Sequence, residues 1–274
     1  MQLKTNGIIL QDRMMQEEDR LLTILTEDFG ILNAYAKGAR RFKTKMASAT
    51  EVLTYSELIL FYNKERYTLD DASSKHIFFG LRSDILKLSL GYYFAQLMEE
   101  LAPRGENAKE YLRLFLNTLA FLESNDYPSG QLKPIFELRL LSMSGYMPDL
   151  VACRECMCYE SSYMLFHPFN GNLLCSECAQ HTPDPAAIAI PNSVLTAMRH
   201  IIYTDLKRLF SFRLPQADLQ LLQRVSETYL LTKTERNYAS LEYYKSLEAP
   251  IFVSATSQTE SEKREESDEG VEKG

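Results

Sequence analysis

The sequence predicts a multi-domain α+β fold: an N-terminal five-stranded OB-type β-barrel, then an α-helical domain with an embedded four-cysteine zinc segment. Three observations carry this prediction. About 80 residues at the start form short β-rich runs, the apolar period lengthens to about 3.6 after Arg82, and four cysteines form two close pairs. The predicted boundaries are 1–82 for the barrel, 83–149 and 181–250 for the two helical parts, 150–180 for the zinc segment and 251–274 for a disordered acidic tail.

The barrel prediction rests on runs of β-forming residues separated by turn signals. These runs cover residues 4–10, 20–26, 31–37, 54–63 and 67–71. The tetrapeptide from Glu27 to Gly30 is a tight connection between the second and third runs. The fourth and fifth runs flank a polar turn, which is typical of a hairpin. Five strands with one long basic connection fit an OB-type barrel.

The helical domain is predicted from apolar residues that repeat on one face of residues 85–101. Ser83 is the expected N-cap of this helix, with Asp84 in its first turn, and Pro103 and Gly105 are expected to end it. Further helices are expected at residues 108–122, 132–143, 192–204, 216–232 and 240–248.

The composition limits the cellular context. Of the 274 residues 45% are hydrophobic, enough for a sizeable core. No apolar run approaches the roughly 18 residues of a membrane helix, and the first residues lack a charged leader with a cleavage site. We therefore expect a cytoplasmic protein with no membrane partner, in which the five cysteines serve metal binding rather than disulfides.

The net charge of −7 is unevenly distributed. The last 24 residues carry seven acidic and three basic side chains, so this tail contributes −4. With almost no large apolar residue near its end, the tail is expected to be disordered. The charge of the remaining chain is thus compatible with a nucleic-acid partner.

Two Cys-x-x-Cys pairs stand 18 residues apart, Cys153 with Cys156 and Cys175 with Cys178. Each turn can aim two sulfurs at one ion, and two turns complete the tetrahedral shell of a structural zinc site. A shell filled by four cysteines leaves no open position for catalysis. The spacing therefore predicts one structural zinc ion per chain.

Alternatives to this ligand set remain open in the sequence. The four cysteines could be reduced and metal-free, and His167 or His181 could replace one of them. Cys158, the fifth cysteine, is separated from Cys156 by one residue and is interpreted as a spare thiol.

A basic segment at residues 37–45, the basic loop, contains five cations and no acidic residue. Convergent cations on an exposed connection bind phosphates, and aromatic side chains between them can stack on bases. Tyr62 or Tyr67 could add to this aromatic surface. The alternative is a solvated charge run, but an OB-type barrel favours nucleic-acid binding. The predicted nucleic-acid site consists of Tyr35, Lys37, Arg40, Arg41, Phe42, Lys43 and Lys45.

Enzymatic motifs are missing from the sequence, which contains no Walker loop, no Gly-x-Gly-x-x-Gly and no Gly-x-Ser-x-Gly. The acidic run Glu17-Glu18-Asp19 could suggest a metal-dependent nuclease, but it is better explained as a polar surface turn. We therefore predict a protein without catalytic residues.

Three stretches resemble the bacterial RecO family. They are residues 19–30 leading into 36–41, residues 136–141 leading through 145–150, and the double Cys-x-x-Cys with Phe166, Gly171 and Leu174 between its halves. The resemblance covers nearly everything before the tail. It implies an amino-terminal OB-fold, a central helical bundle and an embedded zinc segment, although some members lack the cysteines.

The resemblance also implies a function in DNA repair. Members of this family bind single- and double-stranded DNA, anneal complementary strands, contact the acidic tail of single-strand-binding protein, and act with RecR in loading RecA. They use no nucleotide cofactor. A cytoplasmic, nucleoid-associated protein is the corresponding expectation.

Two further hypotheses are kept. The first is a zinc-containing protein–protein adaptor with incidental DNA contact, for which Lys133 and Arg139 are candidate contacts to an acidic partner peptide. The second, a zinc-dependent nuclease, is disfavoured by a metal shell of four cysteines.

Overall fold

A computed structural model describes residues 1–15, 18–39, 44–181 and 184–248. Part of the predicted nucleic-acid site, and the predicted disordered tail, lie outside these ranges: Arg40, Arg41, Phe42, Lys43 and residues 251–274. Within these ranges, no helix combines the length and apolarity needed to span a membrane.

Five strands close into a barrel in the order β1-β2-β3-β5-β4, which confirms the predicted architecture. Their bounds are β1 Gln2–Met14, β2 Arg20–Thr26, β3 Gly30–Ala36, β4 Thr54–Asn63 and β5 Arg66–Ile77. Neighbouring strands are antiparallel except β3 and β5, which are parallel. β5 extends past the predicted end at residue 71 through polar residues because its backbone continues to pair with β4.

The barrel interior is filled by aliphatic side chains, whereas Ile8, Leu10, Leu25 and Ile31 on β1–β3 belong to the core that the helices form. The largest interior side chains are Ile9, Leu22, Ile24, Leu32, Leu58, Leu60 and Leu69. A short helix, α1 (Thr44–Ala49), lies between β3 and β4, and its Met46 and Ala49 pack against this core. Lys45 therefore lies on a helix, whereas the sequence predicted an exposed connection there.

Seven further helices follow the barrel in the described residues, and they include the six predicted from the apolar periodicity. They are α2 Phe79–Arg82, α3 Ile85–Leu101, α4 Lys109–Ser124, α5 Ser129–Met143, α6 Asn192–Tyr203, α7 Gln216–Thr234 and α8 Ala239–Glu248. The N-cap of α3 is Asp84 rather than Ser83, because the Asp84 carboxylate accepts the backbone N–H groups of Leu86 and Lys87.

Helix α5 begins three residues earlier than predicted and accommodates a proline inside its first turns. Pro134 has no N–H to donate to the Gly130 carbonyl, four residues before it. The Gln223 side chain on α7 donates to that carbonyl instead, at 2.7 Å. A tertiary contact thus replaces the hydrogen bond that proline removes.

The barrel is fixed to the helices by its β2–β3 turn. Ile31 N donates to the Pro103 carbonyl at 2.8 Å, and Gly105 N donates to the Phe29 carbonyl at 3.0 Å. Gly30 has a φ of +63°, and a Cβ on it would lie 2.1 Å from the Pro103 oxygen. Glycine is required here by both backbone conformation and close approach.

The predicted zinc segment, residues 150–180, is called the cysteine segment below. Together with the strand that follows it, it forms a three-stranded sheet in the order β7-β6-β8. Its strands are β6 Met164–His167, β7 Asn172–Cys175 and β8 Ile188–Ile190. The β6–β7 hairpin joins the two cysteine pairs, and β8 adds a third strand from the residues that follow them. The Phe166 ring packs edge-on against Tyr229 of α7, with 5.3 Å between ring centroids, so this sheet shares the helical core.

Candidate metal centre and nucleic-acid surface

The four predicted cysteine ligands meet at one point. Cys175 ends β7, Cys178 begins a single 3-10 turn, and Cys153 bridges to β7 at Leu173. Cys156 supplies the fourth sulfur, and all four sulfurs lie within 4.8 Å of one another. A tetrahedral zinc ion with Zn–S bonds of about 2.3 Å would place its sulfurs about 3.8 Å apart. The cluster is therefore compatible with a bound metal ion.

The electrostatics of the cluster favour a cation. Burial raises the pKa of the Cys153 thiol, but the backbone N–H groups of Cys156, Cys175 and Glu155 outweigh this effect and lower it to about 6. The pKa of the Cys178 thiol is raised because it shares hydrogen bonds with the Cys175 and Cys156 sulfurs. Four thiolates this close repel one another, and a divalent ion would remove the repulsion.

Arg199 of α6 holds the first cysteine pair in place. Its Nε donates to the Leu150 carbonyl at 2.7 Å, and its second amino group donates to the carbonyls of Val151 and Tyr159 at 3.0 and 2.9 Å. The guanidinium carbon also lies 3.9 Å from the centre of the Tyr159 ring. Sequence reasoning missed Arg199, because no local pattern relates it to a segment 40 residues earlier.

The other candidate ligands lie outside the sulfur cluster. The Cys158 thiol donates to the Glu160 carbonyl at 2.7 Å. His167 Nδ1 lies 2.8 Å from an Asp184 carboxylate oxygen, and neither His167 nor His181 belongs to the ligand group. These contacts favour the four-cysteine set.

A groove of about 770 Å³ lies on the barrel surface between β3 and the β4–β5 hairpin. Tyr35 and Lys37 of the predicted nucleic-acid site line it, together with Phe61, Lys64 and Arg66 from the hairpin. The sequence prediction missed the last three residues. The sequence does contain a signal for them, because the turn of the predicted hairpin carries the two cations Lys64 and Arg66 and the aromatic residue Phe61 lies close before it.

Strand register decides which aromatic side chains face the groove. Tyr35 is paired with Thr68, and Thr68 with Phe61, so these three share one face of the sheet. Tyr62 is paired with Tyr67, one residue further along each strand than the Phe61–Thr68 pair. Since successive side chains alternate between the two faces of a sheet, this pair lies on the opposite face, and Tyr67 packs against the barrel core. Tyr62 and Tyr67 therefore do not share the face of the sheet that carries Tyr35, whereas Phe61 does.

The cations that line the groove, Lys37, Lys64 and Arg66, are exposed, and so is Lys45 of α1. No ion pair joins Lys37, Lys45, Lys64 or Arg66 to another residue that the structure describes. The acidic residue that lines the groove, Asp70, accepts a hydrogen bond from the Gln2 amide at 3.3 Å. The groove therefore presents a surplus of positive charge.

Asp19 positions the start of the basic loop. Its carboxylate accepts the backbone N–H of Gly38 at 2.8 Å, and Gly38 has a φ of +61°. The acidic run that includes Asp19 thus has a structural role at this turn. Glu17 lies outside the described residues.

Two protein-family models match the chain, and they divide it between the barrel and the helical part as the structure does. A model described as "Recombination protein O N terminal" matches residues 1–78, and one described as "Recombination protein O C terminal" matches residues 82–242. The chain belongs to the RecO family. The barrel lies in the region of the amino-terminal RecO model, and the cysteine cluster lies in that of the carboxyl-terminal one.

Curated relatives named "DNA repair protein RecO" align over most of the chain. The Acetivibrio thermocellus protein is 32% identical over 90% of this chain and 97% of its own length. The Alkaliphilus metalliredigens protein is 29% identical over 90% of this chain and its full length, and the Symbiobacterium thermophilum protein is 28% identical over 88% and 96%. The family resemblance drawn from the sequence is confirmed.

The structure corrects one predicted partner contact of this RecO-family chain. Lys133 is buried on α5, and its ammonium lies 2.9 Å from both Glu137 and Glu227, so its charge is not presented at the surface. Arg139 is partly exposed, but its guanidinium donates to the carbonyl of Ile202 at the end of α6. The two residues were grouped as surface cations because the sequence does not show which helices cover α5.

Proposed function

We propose that this chain is a non-enzymatic DNA repair protein. It binds single- and double-stranded DNA, anneals complementary strands and helps to load recombinase in RecF-pathway recombinational repair. The observation that supports DNA binding is the barrel groove, where exposed cations that have no ion-pair partner among the described residues lie beside the aromatic rings of Tyr35 and Phe61. Arg40, Arg41, Phe42 and Lys43 belong to the same basic connection and are proposed to contribute.

Replacing Arg40 and Arg41 together with alanine should weaken DNA binding and flatten its salt dependence. Each phosphate that the variant no longer neutralises should lower the slope of log affinity against log salt by about 0.9 for duplex and about 0.7 for single strands. The measurement is fluorescence anisotropy with labelled single-stranded and duplex oligonucleotides over a sodium chloride series.

The matched control removes two adjacent cations elsewhere. Lys207 and Arg208 are exposed, in the connection between α6 and α7. The double variant Lys207→Ala/Arg208→Ala should retain the wild-type slope. If the Arg40/Arg41 variant matches wild-type protein in affinity and slope, the basic loop is not the DNA site.

We also propose that the four-cysteine cluster holds one structural zinc ion. Cys153, Cys156, Cys175 and Cys178 would supply all four ligands. The ion would neutralise the thiolates and stabilise the cysteine segment, and no reaction step is assigned to it. No catalytic residue is proposed.

The proposed protein partners are RecR and the acidic carboxyl tail of single-strand-binding protein. Of the two contacts suggested by the sequence, Arg139 is the residue that remains partly exposed. Arg139→Gln should weaken binding of a labelled acidic-tail peptide about 10- to 150-fold, since a hydrogen bond to a charged group contributes about 1.5–3 kcal/mol.

Arg224→Gln is the matched control for this peptide experiment, because Arg224 is an exposed arginine on α7. Circular dichroism of Arg139→Gln would show whether α6 remains folded without the guanidinium hydrogen bonds to its last carbonyls. Wild-type peptide affinity in the folded Arg139→Gln variant would exclude Arg139 as a contact.

An adaptor function is the second candidate, and exposed apolar side chains on the cysteine segment favour it. Val151, Met157 and Tyr159 are 53%, 71% and 57% exposed beside the metal cluster. Such a patch is typical of a protein-docking surface. In the adaptor case, partner binding would persist at salt concentrations that abolish DNA binding.

A further inference from the structure

We propose that Phe61 and Tyr35 form a stacking subsite for unpaired bases, so that the barrel groove prefers single-stranded to duplex DNA. This inference rests on the proposed DNA binding of the barrel and deepens it. Lys64 and Arg66, at the tip of the β4–β5 hairpin, would contact the phosphates that flank the stacked bases.

Phe61 carries the first part of the argument. Its ring is 49% exposed although its backbone is paired on both sides, with Gln2 of β1 and Thr68 of β5. The two ladders fix the backbone and the direction in which the side chain leaves it. The exposed ring is therefore presented on the groove side before any base binds, which lowers the ordering cost of stacking.

The second part is the alignment of the two rings. Phe61, Thr68 and Tyr35 occupy one row across β4, β5 and β3. Strands lie about 4.8 Å apart, which places Phe61 and Tyr35 roughly 10 Å from each other. Thr68 between them is small, so the surface between the two rings is open and each ring can stack on one base.

The third part is the distribution of cations along this row. The guanidinium of Arg66 lies 5.9 Å from the centre of the Tyr35 ring. Lys64 and Glu65 have φ angles of +48° and +59°, which is typical of a type I′ hairpin turn and directs the tip along the twist of the strands. Lys37 closes the opposite side of the groove. The phosphate backbone of a DNA strand can therefore lie along these cations while its bases stack on the rings of Phe61 and Tyr35.

Duplex DNA does not satisfy this arrangement. In a duplex, each base face is covered by its neighbours, and stacking on a protein ring requires that a base first be unstacked. A single strand offers its base faces without that cost. The aromatic row therefore contributes to single-strand affinity alone, whereas the cations contribute to both forms.

The test compares single-stranded and duplex binding of Phe61→Ala. Removing the ring under one stacked base should weaken single-strand affinity about 5- to 100-fold and leave duplex affinity unchanged. The salt slope should also stay at its wild-type value, because no charge is removed. Phe61→Trp should restore single-strand affinity. Phe79→Ala, which removes a ring that is 68% exposed on α2, is the matched control and should have no effect.

Each outcome separates this inference from the proposed function. If wild-type protein binds DNA but Phe61→Ala binds single strands equally well, the stacking subsite is wrong and DNA binding stands. Equal losses for single strands and duplex would also overturn it, since they indicate a general change of the groove. If wild-type protein binds neither form at low salt, the proposed DNA binding fails and the subsite with it.

Discussion

Replacing Cys175 with serine should abolish zinc binding and destabilise the whole helical part, whereas Cys158→Ser should change neither property. Cys175 is 1% exposed and lies within the sulfur cluster, but the Cys158 thiol donates to a backbone carbonyl outside it. The loss of unfolding free energy for Cys175→Ser should exceed about 4 kcal/mol, since structural zinc sites stabilise their folds strongly.

The size of this effect follows from packing. Cys153, Cys175 and their neighbours Phe166 and Leu173 belong to the same buried cluster as the helices. When the cysteine segment unfolds, it exposes the faces of α6 and α7 that it covers, so the damage spreads beyond the metal site.

Two measurements check this prediction. Elemental analysis should give about one zinc per chain for wild-type protein and Cys158→Ser and none for Cys175→Ser, and thermal unfolding should show the matching order of stability. Wild-type protein produced with zinc available but containing no metal would exclude the site. Loss of zinc from Cys158→Ser would show that the ligand set is wrong.

Replacing Glu137 with glutamine should lower the unfolding free energy by about 3 kcal/mol. The Glu137 carboxylate is fully buried and accepts hydrogen bonds from Tyr93 at 2.7 Å and Ser226 at 2.6 Å, besides its ion pair with Lys133. Burial lowers the pKa of the Lys133 ammonium, but Glu137 and Glu227 outweigh this and raise it. The variant would therefore leave a buried charge with one acidic partner instead of two.

The control for Glu137→Gln is the double variant Lys133→Met/Glu137→Gln, which removes both charges. The glutamine oxygen can still accept from Tyr93, its NH2 group can donate to Ser226, whose hydroxyl also donates to the Gln223 carbonyl, and Glu227 keeps its ion pair with Lys245. It should lose less stability than Glu137→Gln alone, because replacing a whole buried ion pair costs less than breaking it. Urea unfolding of the three proteins provides the comparison. A double variant less stable than the single one would contradict the buried-charge explanation.

The sequence by itself determined the local elements and the chemistry of the cluster. The bounds of β2 and β4 agree with the predicted runs 20–26 and 54–63. On β4 the alternation of buried and more exposed residues is a local signal, and β2 is a run of β-forming residues that ends at the turn signal from Glu27 to Gly30. The four metal-ligand candidates were also predictable, since two Cys-x-x-Cys turns restrict the geometry that each pair can adopt.

The tertiary structure decided what lies beside these elements. Helix α5 packs against α3, α4, α6 and α7, and it is this packing, which the sequence does not show, that buries Lys133. The approach of Gly30 to Pro103, the Arg199 contacts to Leu150 and Tyr159, and the row from Phe61 to Tyr35 all join residues distant in sequence. Periodicity reports which face of an element is apolar, but only packing determines which other element covers that face.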